Sequence, residues 1–436
     1  MFQLIRTFLL ITIFFLGYFI KSQPNDSLSM IIRQQKERIE SLELTELVQS
    51  MCQRSLLMPS YQAELKGLVA KQAFDFWQSN PGDTYVSHLN IYLSLHYANK
   101  YLTGDQNKNA FNEVIGHSES VVSIQFGKDP NIFFSAGSDG KVLKWDLNNI
   151  DNLPTTIYEG DHLIRSIDLS YDGEWILIVT KERGVILAPV DPLSIESGGI
   201  IQDKEPVQTA AFFPNDLKYL TVSNKGELKV KGYEVETPSL GISKSRVNAL
   251  SIKEDDSKIF AGLESGNVLI FGENETRELY TKDPYAINTM AISSDHKLLA
   301  LGRELGDAII WDIDRKEILR TIPAHQSAIT DVDFHPNDNK LLTASRDGTV
   351  KIWDIDDPVK LPKVLDDHLS WVLTAGFDQT GEKVISGSAD NYIRVWPLDP
   401  EILAQRICEI VDRNLTEAEW KEFVGKEIPY RETCPK

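Results

Sequence analysis

Ala324-His325 opens a segment that runs through Asp331-Val332-Asp333-Phe334 to Ser345-Arg346-Asp347-Gly348-Thr349-Val350-Lys351-Ile352-Trp353-Asp354. The chain then repeats itself, with His368, Phe377 and Ser386-Gly387-Ser388-Ala389-Asp390-Asn391-Tyr392-Ile393-Arg394-Val395-Trp396. Such self-similarity decides a fold more firmly than local propensity does, because each copy is one unit that buries its apolar face only against its neighbours.

Upstream the unit recurs at Gly116-His117 through Ser138-Asp139-Gly140-Lys141-Val142-Leu143-Lys144-Trp145-Asp146 and, in weaker form, at Gly306-Asp307-Ala308-Ile309-Ile310-Trp311-Asp312. Aligning the turn glycines Gly184, Gly226 and Gly266 adds three copies with Pro189, Lys231 and Phe271 in place of the tryptophan. The markers fall at 145, 189, 231, 271, 311, 353 and 396, in steps of 44, 42, 40, 40, 42 and 43 residues. A period in the low forties ending on Trp-Asp is that of a propeller blade of four short strands. The expected fold is therefore all-β, a seven-bladed β-propeller over residues 110–397. After Trp396 the chain enters a proline-led helix, so the last blade lacks an outermost strand. Phe111 to Val114 is expected to supply it, closing the ring and hiding two sheet edges.

Over roughly residues 111–397 the chain resembles the WD-repeat β-propeller family, most specifically in blades 1, 6 and 7. The resemblance implies a buried hydrogen-bonded set of Asp, His, hydroxyl and Trp in each good blade: Asp139, His117, Ser135 and Trp145; Asp347, His325, Thr343 and Trp353; Asp390, His368, Ser386 and Trp396. Chemistry supports it, since a buried carboxylate without donors costs several kcal/mol. Blades 2 to 5 depart from the pattern. His162 sits about two residues too close to its strand, Leu305 replaces the blade-5 aspartate, and blades 3 and 4 have no Gly-His. Alternation alone, as in Val268-Leu269-Ile270-Phe271, is expected to form their sheets.

A formal net charge of −19 over 436 residues argues against a nucleic-acid partner, whose affinity comes mostly from basic patches. Arg6 followed by the apolar run Thr7 to Ile20 reads as a signal peptide or membrane anchor over residues 1–23; Ser22 suits cleavage and Ile20 does not. Either way the remainder is expected on the exported side of the membrane, in the cell envelope. Residues 24–109 follow a helical period and read as a stalk: Leu42, Leu44, Leu47, Val48 and Met51, a break at Pro59-Ser60, then Leu65 to Trp77, then His88 to Tyr101 with a stop at Gly104. A coiled-coil dimer is the weaker reading, because Gln35 and Glu46 fall where a heptad needs apolar residues.

The tail, residues 398–436, is well punctuated. Asp399-Pro400 caps a helix whose buried face is Ile402, Leu403, Ile407, Ile410 and Val411. Thr416 and Glu419 form a capping box, Leu415 and Trp420 a staple, and Gly425 a stop. In an exported chain a Cys408–Cys434 disulfide is expected, two buried thiols being the alternative, while Cys52 stands alone in the stalk. Helical linker, propeller and this tail together resemble the exported half of bacterial signalling proteins that join a cytoplasmic nucleotide-binding switch to a WD-repeat propeller. The resemblance is carried by Arg413-Asn414-Leu415-Thr416, Glu419-Trp420 and Tyr430 to Cys434. No Gly-x-x-x-x-Gly-Lys-Ser/Thr loop occurs, so the switch itself is missing.

No nucleophile elbow, zinc helix, EF-hand or Cys-x-x-Cys motif is present, so no cofactor or metal is expected. Asp255-Asp256 and Asp312-x-Asp314 read as solvated turns, and His296 and His335 as exposed turn residues. Inner strands such as Ser123-Ile124-Gln125-Phe126, Ala210-Ala211-Phe212-Phe213 and Ala249-Leu250-Ser251-Ile252 repeat no acid, base or ligand, which favours a non-enzymatic scaffold or sensor over a propeller enzyme. A propeller that binds a solute, peptide or glycan shares the fold and stays open. By the family resemblance, partner-facing positions flank the first valine of each inner strand and precede the blade aspartate. They map to Leu163 and Arg165, Gln208, Arg246 and Asn248, Asn288, Trp371 and Leu373, with Ser138, Arg346 and Ala389. Arg165, Arg246, Arg346 and Trp371 are residue types that dominate binding hot spots. The competing reading packs Trp371 in its own blade and pairs the arginines with local carboxylates.

Overall fold

Each copy of the repeat folds into four antiparallel strands, giving seven four-stranded sheets. The structure, a computed structural model, describes residues 26–79, 85–102, 112–150, 152–182, 184–191, 201–203, 205–232, 239–255, 257–272, 276–279 and 284–435. The signal or anchor segment, the Gly104 stop, Phe111 and Asp256 lie outside the described residues. Among those described, no helix is long and apolar enough to cross a membrane.

The chain divides into two units, 112–396 and the pairing of 1–111 with 397–436. In the first, the inner strands are Val121–Phe126, Ile164–Leu169, Val207–Phe212, Val247–Ile252, Ile287–Ile292, Ile329–Phe334 and Val372–Phe377. The second strands, such as Leu298–Arg303 and Lys383–Ser388, are buried along nearly their whole length, because a blade has a neighbour on each side. Outer strands such as Thr155–Glu159 and Glu317–Pro323 stay largely exposed. Blade 7 takes its fourth strand from Glu113–Val114, in register with Arg394 and Ile393. Arg394 then reaches the half-buried Glu113 at 3.2 Å and the buried Asn112 at 3.1 Å.

The ring is tied blade to blade on its inner strands. Ser123 Oγ accepts from the Ile167 amide at 3.2 Å, and Thr374 Oγ1 accepts from Ile124 at 3.2 Å. Asp168 accepts from the Phe212 amide at 2.7 Å and Asp333 from Phe377 at 2.8 Å. Asp331 accepts from Ala375 and from the Thr374 and Thr289 hydroxyls. The inner strands, expected to repeat no acid, base or ligand, do carry half-buried acids in blades 2 and 6, and the oxygens of these side chains are occupied by amides and hydroxyls of the neighbouring blades.

In the second unit α1 (Asp26–Leu57), α2 (Ala63–Ser79) and α3 (Tyr85–Leu102) pack together with α4 (Pro400–Ile410) and α5 (Glu417–Phe423). Stalk and tail, read separately in the sequence, form one core of Met51, Leu68, Phe74, Leu95, Leu403, Ile407 and Trp420. The reason is that α4 buries its apolar face on α2 and α3 rather than on the tail itself. Asp399 caps α4 through Glu401 N at 2.8 Å. Thr416 and Glu419 make the capping box of α5, and Gly425 adopts φ +120°. Cys408 and Cys434 are bonded, with the Thr433 hydroxyl donating to Gln72 Oε1 at 2.9 Å beside them. Cys52 is buried and unbridged, and burial pushes its thiol up to about 11.

Candidate protein-docking face

Three blades are locked by one repeated chain of bonds. In blade 1 the Trp145 indole N–H donates to Ser135 Oγ at 2.8 Å, Ser135 Oγ lies 2.8 Å from His117 Nε2, and His117 Nδ1 lies 3.0 Å from Asp139. Blade 6 repeats it with Trp353, Thr343, His325 and Asp347 at 3.0, 2.8 and 2.9 Å. Blade 7 does so with Trp396, Ser386, His368 and Asp390 at 2.8, 2.8 and 3.0 Å. Burial pushes His117 and His368 down, so each is a neutral ring that donates from Nδ1 and accepts at Nε2. Burial works against the Asp390 carboxylate. Bonds from His368 and from the Leu369 and Tyr392 amides outweigh it and hold the group at about 2. Asp347 is likewise held below the usual carboxylate range against its burial by His325, Thr349 and the Gln326 amide.

Blade 5 uses another device. Leu301 stands where the hydroxyl belongs, and Trp311, equally buried, finds no acceptor for its indole N–H. In compensation Arg303 and Asp307 form a buried ion pair across the turn.

Backbone bonds fix the loops at one face, with or without the network. In every blade the amide that leads out of the second strand donates to the carbonyl just before the inner strand: Ser138 to Ser120, Lys181 to Leu163, Asn224 to Pro206, Glu264 to Arg246, Glu304 to Ala286, Arg346 to Ala328 and Ala389 to Trp371. Leu163, Arg246 and Trp371 thus hold equivalent rim positions, and Ser138, Arg346 and Ala389 hold the position paired with them. Immediately inside the rim, each inner strand shifts register by one residue, between Val121 and Ser123 in blade 1 and likewise in the other six.

The bulged residue meets the next blade wherever its side chain is polar. Arg165 donates to Gln208 O at 3.4 Å, Gln208 Oε1 accepts from Val247 N at 2.7 Å, and Asn248 donates to Ile287 O at 3.2 Å. Asn288 donates to Ile329 O at 3.1 Å and Thr330 to Val372 O at 2.8 Å. Asn248, expected to face a partner, is half-buried and latches blade 4 to blade 5. Leu373, the blade-7 bulge, is half-buried and has no such bond to make. The latches were hidden in the sequence because a bulge changes which way a side chain points.

Two clusters remain at the surface. Trp371 is 54% exposed and Arg346 lies over its ring at 5.4 Å. Arg346 also pairs with Glu304 at 3.4 Å, and Glu304 accepts from Asn288 at 2.8 Å. The arginine therefore has a local carboxylate, while the indole is presented rather than packed inside its blade. Leu369, just before it, is 88% exposed. Arg165 and Arg246 are elsewhere, in a basin of about 340 Å³ over blades 2 to 4. Leu163 is exposed on the blade-2 rim.

Of the turn residues on the opposite face, Asp255 and Asp312 accept amides of their own turns. His335 is not exposed as expected. It is half-buried, edge-on to Phe377 and bonded to Gly381 O at 3.1 Å, because the blade-7 turn covers it. Among the described residues no group of three or more His, Cys, Asp or Glu is placed to hold a metal ion.

Segments 108–146, 316–354 and 359–397 match the WD40 repeat, described as WD domain, G-beta repeat. Three of the seven blades carry the WD40 repeat. The matched segments end on Trp145-Asp146, on Trp353-Asp354 and just after Trp396, the three blades with the full network. The chain is 21% identical over 250 residues to the 66 kDa stress protein of Physarum polycephalum, covering 56% of this chain and 41% of that protein. It is 21% identical to the serine-threonine kinase receptor-associated protein of Gallus gallus, over 55% of this chain and 68% of that one. To the target of rapamycin complex subunit LST8 of Saccharomyces cerevisiae it is 25% identical, over 53% and 79%. The chain thus spans less than half the length of the first of these relatives. All three are eukaryotic WD40-related proteins, and none carries the expected bacterial relationship.

Proposed function

We propose that this WD40 propeller is a non-enzymatic scaffold or sensor that docks a protein partner on the face carrying Trp371 and Arg346. The observation that carries the reading is the half-exposed indole with a guanidinium stacked on it, on a rim fixed by seven equivalent backbone bonds. A rigid aromatic and an arginine supply contact area at low entropic cost, as binding hot spots do. Relatives named as a subunit of a complex and as receptor-associated support a role in assembly. The inner-strand acids supply no catalytic group on this reading, because their oxygens are engaged with neighbouring amides and hydroxyls.

The setting we propose is the exported side of a bacterial membrane. Arg6 and the apolar run to Ile20 support export, and so does the Cys408–Cys434 bridge, since disulfides persist in oxidising compartments. The bacterial setting itself rests on the resemblance of the tail motifs alone.

The test is capture of envelope proteins on immobilised wild type, Trp371→Ala and Arg346→Glu. Loss of the same captured protein from both variants, with melting temperatures unchanged, is expected, the tryptophan truncation costing about 2 kcal/mol or more of binding. Equal capture by folded variants would move the docking site off this surface and favour the solute-binding reading.

A further inference from the structure

The basin over blades 2 to 4 is lined by Arg165, Gln208, Asn224, Lys225, Gly226, Ser243, Lys244, Ser245 and Arg246. Four cations converge there, and the described lining holds no carboxylate. Lys225, Lys244 and Arg246 are exposed and pair with no acid among the described residues. Three separate loops bring them together. Arg165 sits on the blade-2 bulge, Lys225 in the turn between the second and third strands of blade 3, and Lys244 and Arg246 on the connection into blade 4. The geometry of the turn is forced, because Gly226 adopts φ +81° and a Cβ there would collide with the Ser243 carbonyl. Its amide and the Ser243 amide close the approach, at 2.8 Å to Ser223 O and 2.9 Å to Gly226 O.

Unpaired cations held together on a chain of net charge −19 oppose one another and gain from an anion. Arg165 already feels the charge of Glu182 nearby, but a single small oxyanion would leave most of the charge of Lys225, Lys244 and Arg246 uncompensated. The volume of about 340 Å³ has room for several side chains. We propose that this basin receives an acidic peptide segment of the docked protein, adjacent carboxylates pairing with Arg165, Lys225, Lys244 and Arg246. It is an anchor separate from the Trp371 cluster, and it rests on the docking reading for its ligand being part of a protein. The acidic remainder of the surface repels such a segment elsewhere, so the basin would set the register of docking as well as its strength.

A short fluorescein-labelled polyglutamate peptide tests the assignment by anisotropy titration at physiological salt, with polyglutamine as the neutral control. Wild type should bind the first and not the second. Combining Lys225→Gln, Lys244→Gln and Arg246→Gln, all at exposed positions, should weaken binding at least about tenfold, the scale expected when charge-assisted hydrogen bonds are removed. Trp371→Ala should leave peptide binding unchanged. If Trp371→Ala also leaves protein capture unchanged while the peptide still binds through the basin, the Trp371 reading fails and the basin stands. Peptide binding that ignores the triple substitution, or no peptide binding at all, overturns the basin. Saturable binding of inorganic phosphate without peptide binding overturns it too, by identifying a small-anion site.

Discussion

Trp311 and Trp396 are buried to the same degree, yet only Trp396 has an acceptor for its indole N–H. The difference traces to one residue, Ser386 in blade 7 against Leu301 in blade 5. Replacing each tryptophan by phenylalanine removes similar volume. In blade 7, however, it also leaves Ser386 and His368 with a broken chain of bonds. Trp396→Phe should therefore cost about 1 to 2 kcal/mol more than Trp311→Phe in urea denaturation. Equal costs would mean that the networks contribute packing alone. These quartets were legible in the sequence because spacing and residue type repeat in three copies. The Arg303–Asp307 substitute was not, since an arginine four residues from an aspartate is common on any surface.

The elements most exposed to pH are the inner strands of blades 2 and 6. Burial pushes Asp168 and Asp331 up to about 6, and burial together with the charge of Asp331 pushes Asp333 up to about 7. A carboxyl whose folded pKa lies above its unfolded value of about 3.9 binds its proton more tightly when folded. Its contribution is present below about pH 4 and is lost as pH rises to about 7. Asp390 acts with the opposite sign, stabilising above about pH 4 and losing that effect as pH falls toward 2. Asp333→Asn keeps an oxygen for the Phe377 amide and removes the titration. Relative to wild type, the variant should gain on the order of 2 kcal/mol between pH 5 and pH 8 in denaturant unfolding. A difference independent of pH would contradict the account. The sequence shows Asp331 and Asp333 plainly, but whether a strand acid faces the neighbouring blade depends on the bulge, which no spacing reveals. The strands themselves were readable from alternation and turn glycines even where the tryptophan is absent, as at Phe271.

At the scale of the whole molecule, a seven-bladed ring and a unit made of both chain ends have separate cores. The period in the low forties made the ring visible. The joining of stalk to tail was not visible, because pairing across some three hundred residues leaves no local mark. The disulfide closes a loop of 26 residues in the tail and stabilises by roughly 3 to 4 kcal/mol in the chain-entropy account. Reduction should lower the melting transition of the helical unit and leave that of the ring in place, as two calorimetric transitions would show. A common shift of both would indicate one cooperative unit.

The central claim is that a protein docks on the face carrying Trp371. A photo-crosslinking residue at Leu369, 88% exposed beside Trp371, can be compared with one at Leu153, 92% exposed on the loop between the third and fourth strands of blade 1, which opens on the opposite face. Crosslinks to one protein partner from position 369, and none from 153, are predicted. Crosslinks from 153 with none from 369 would contradict the account.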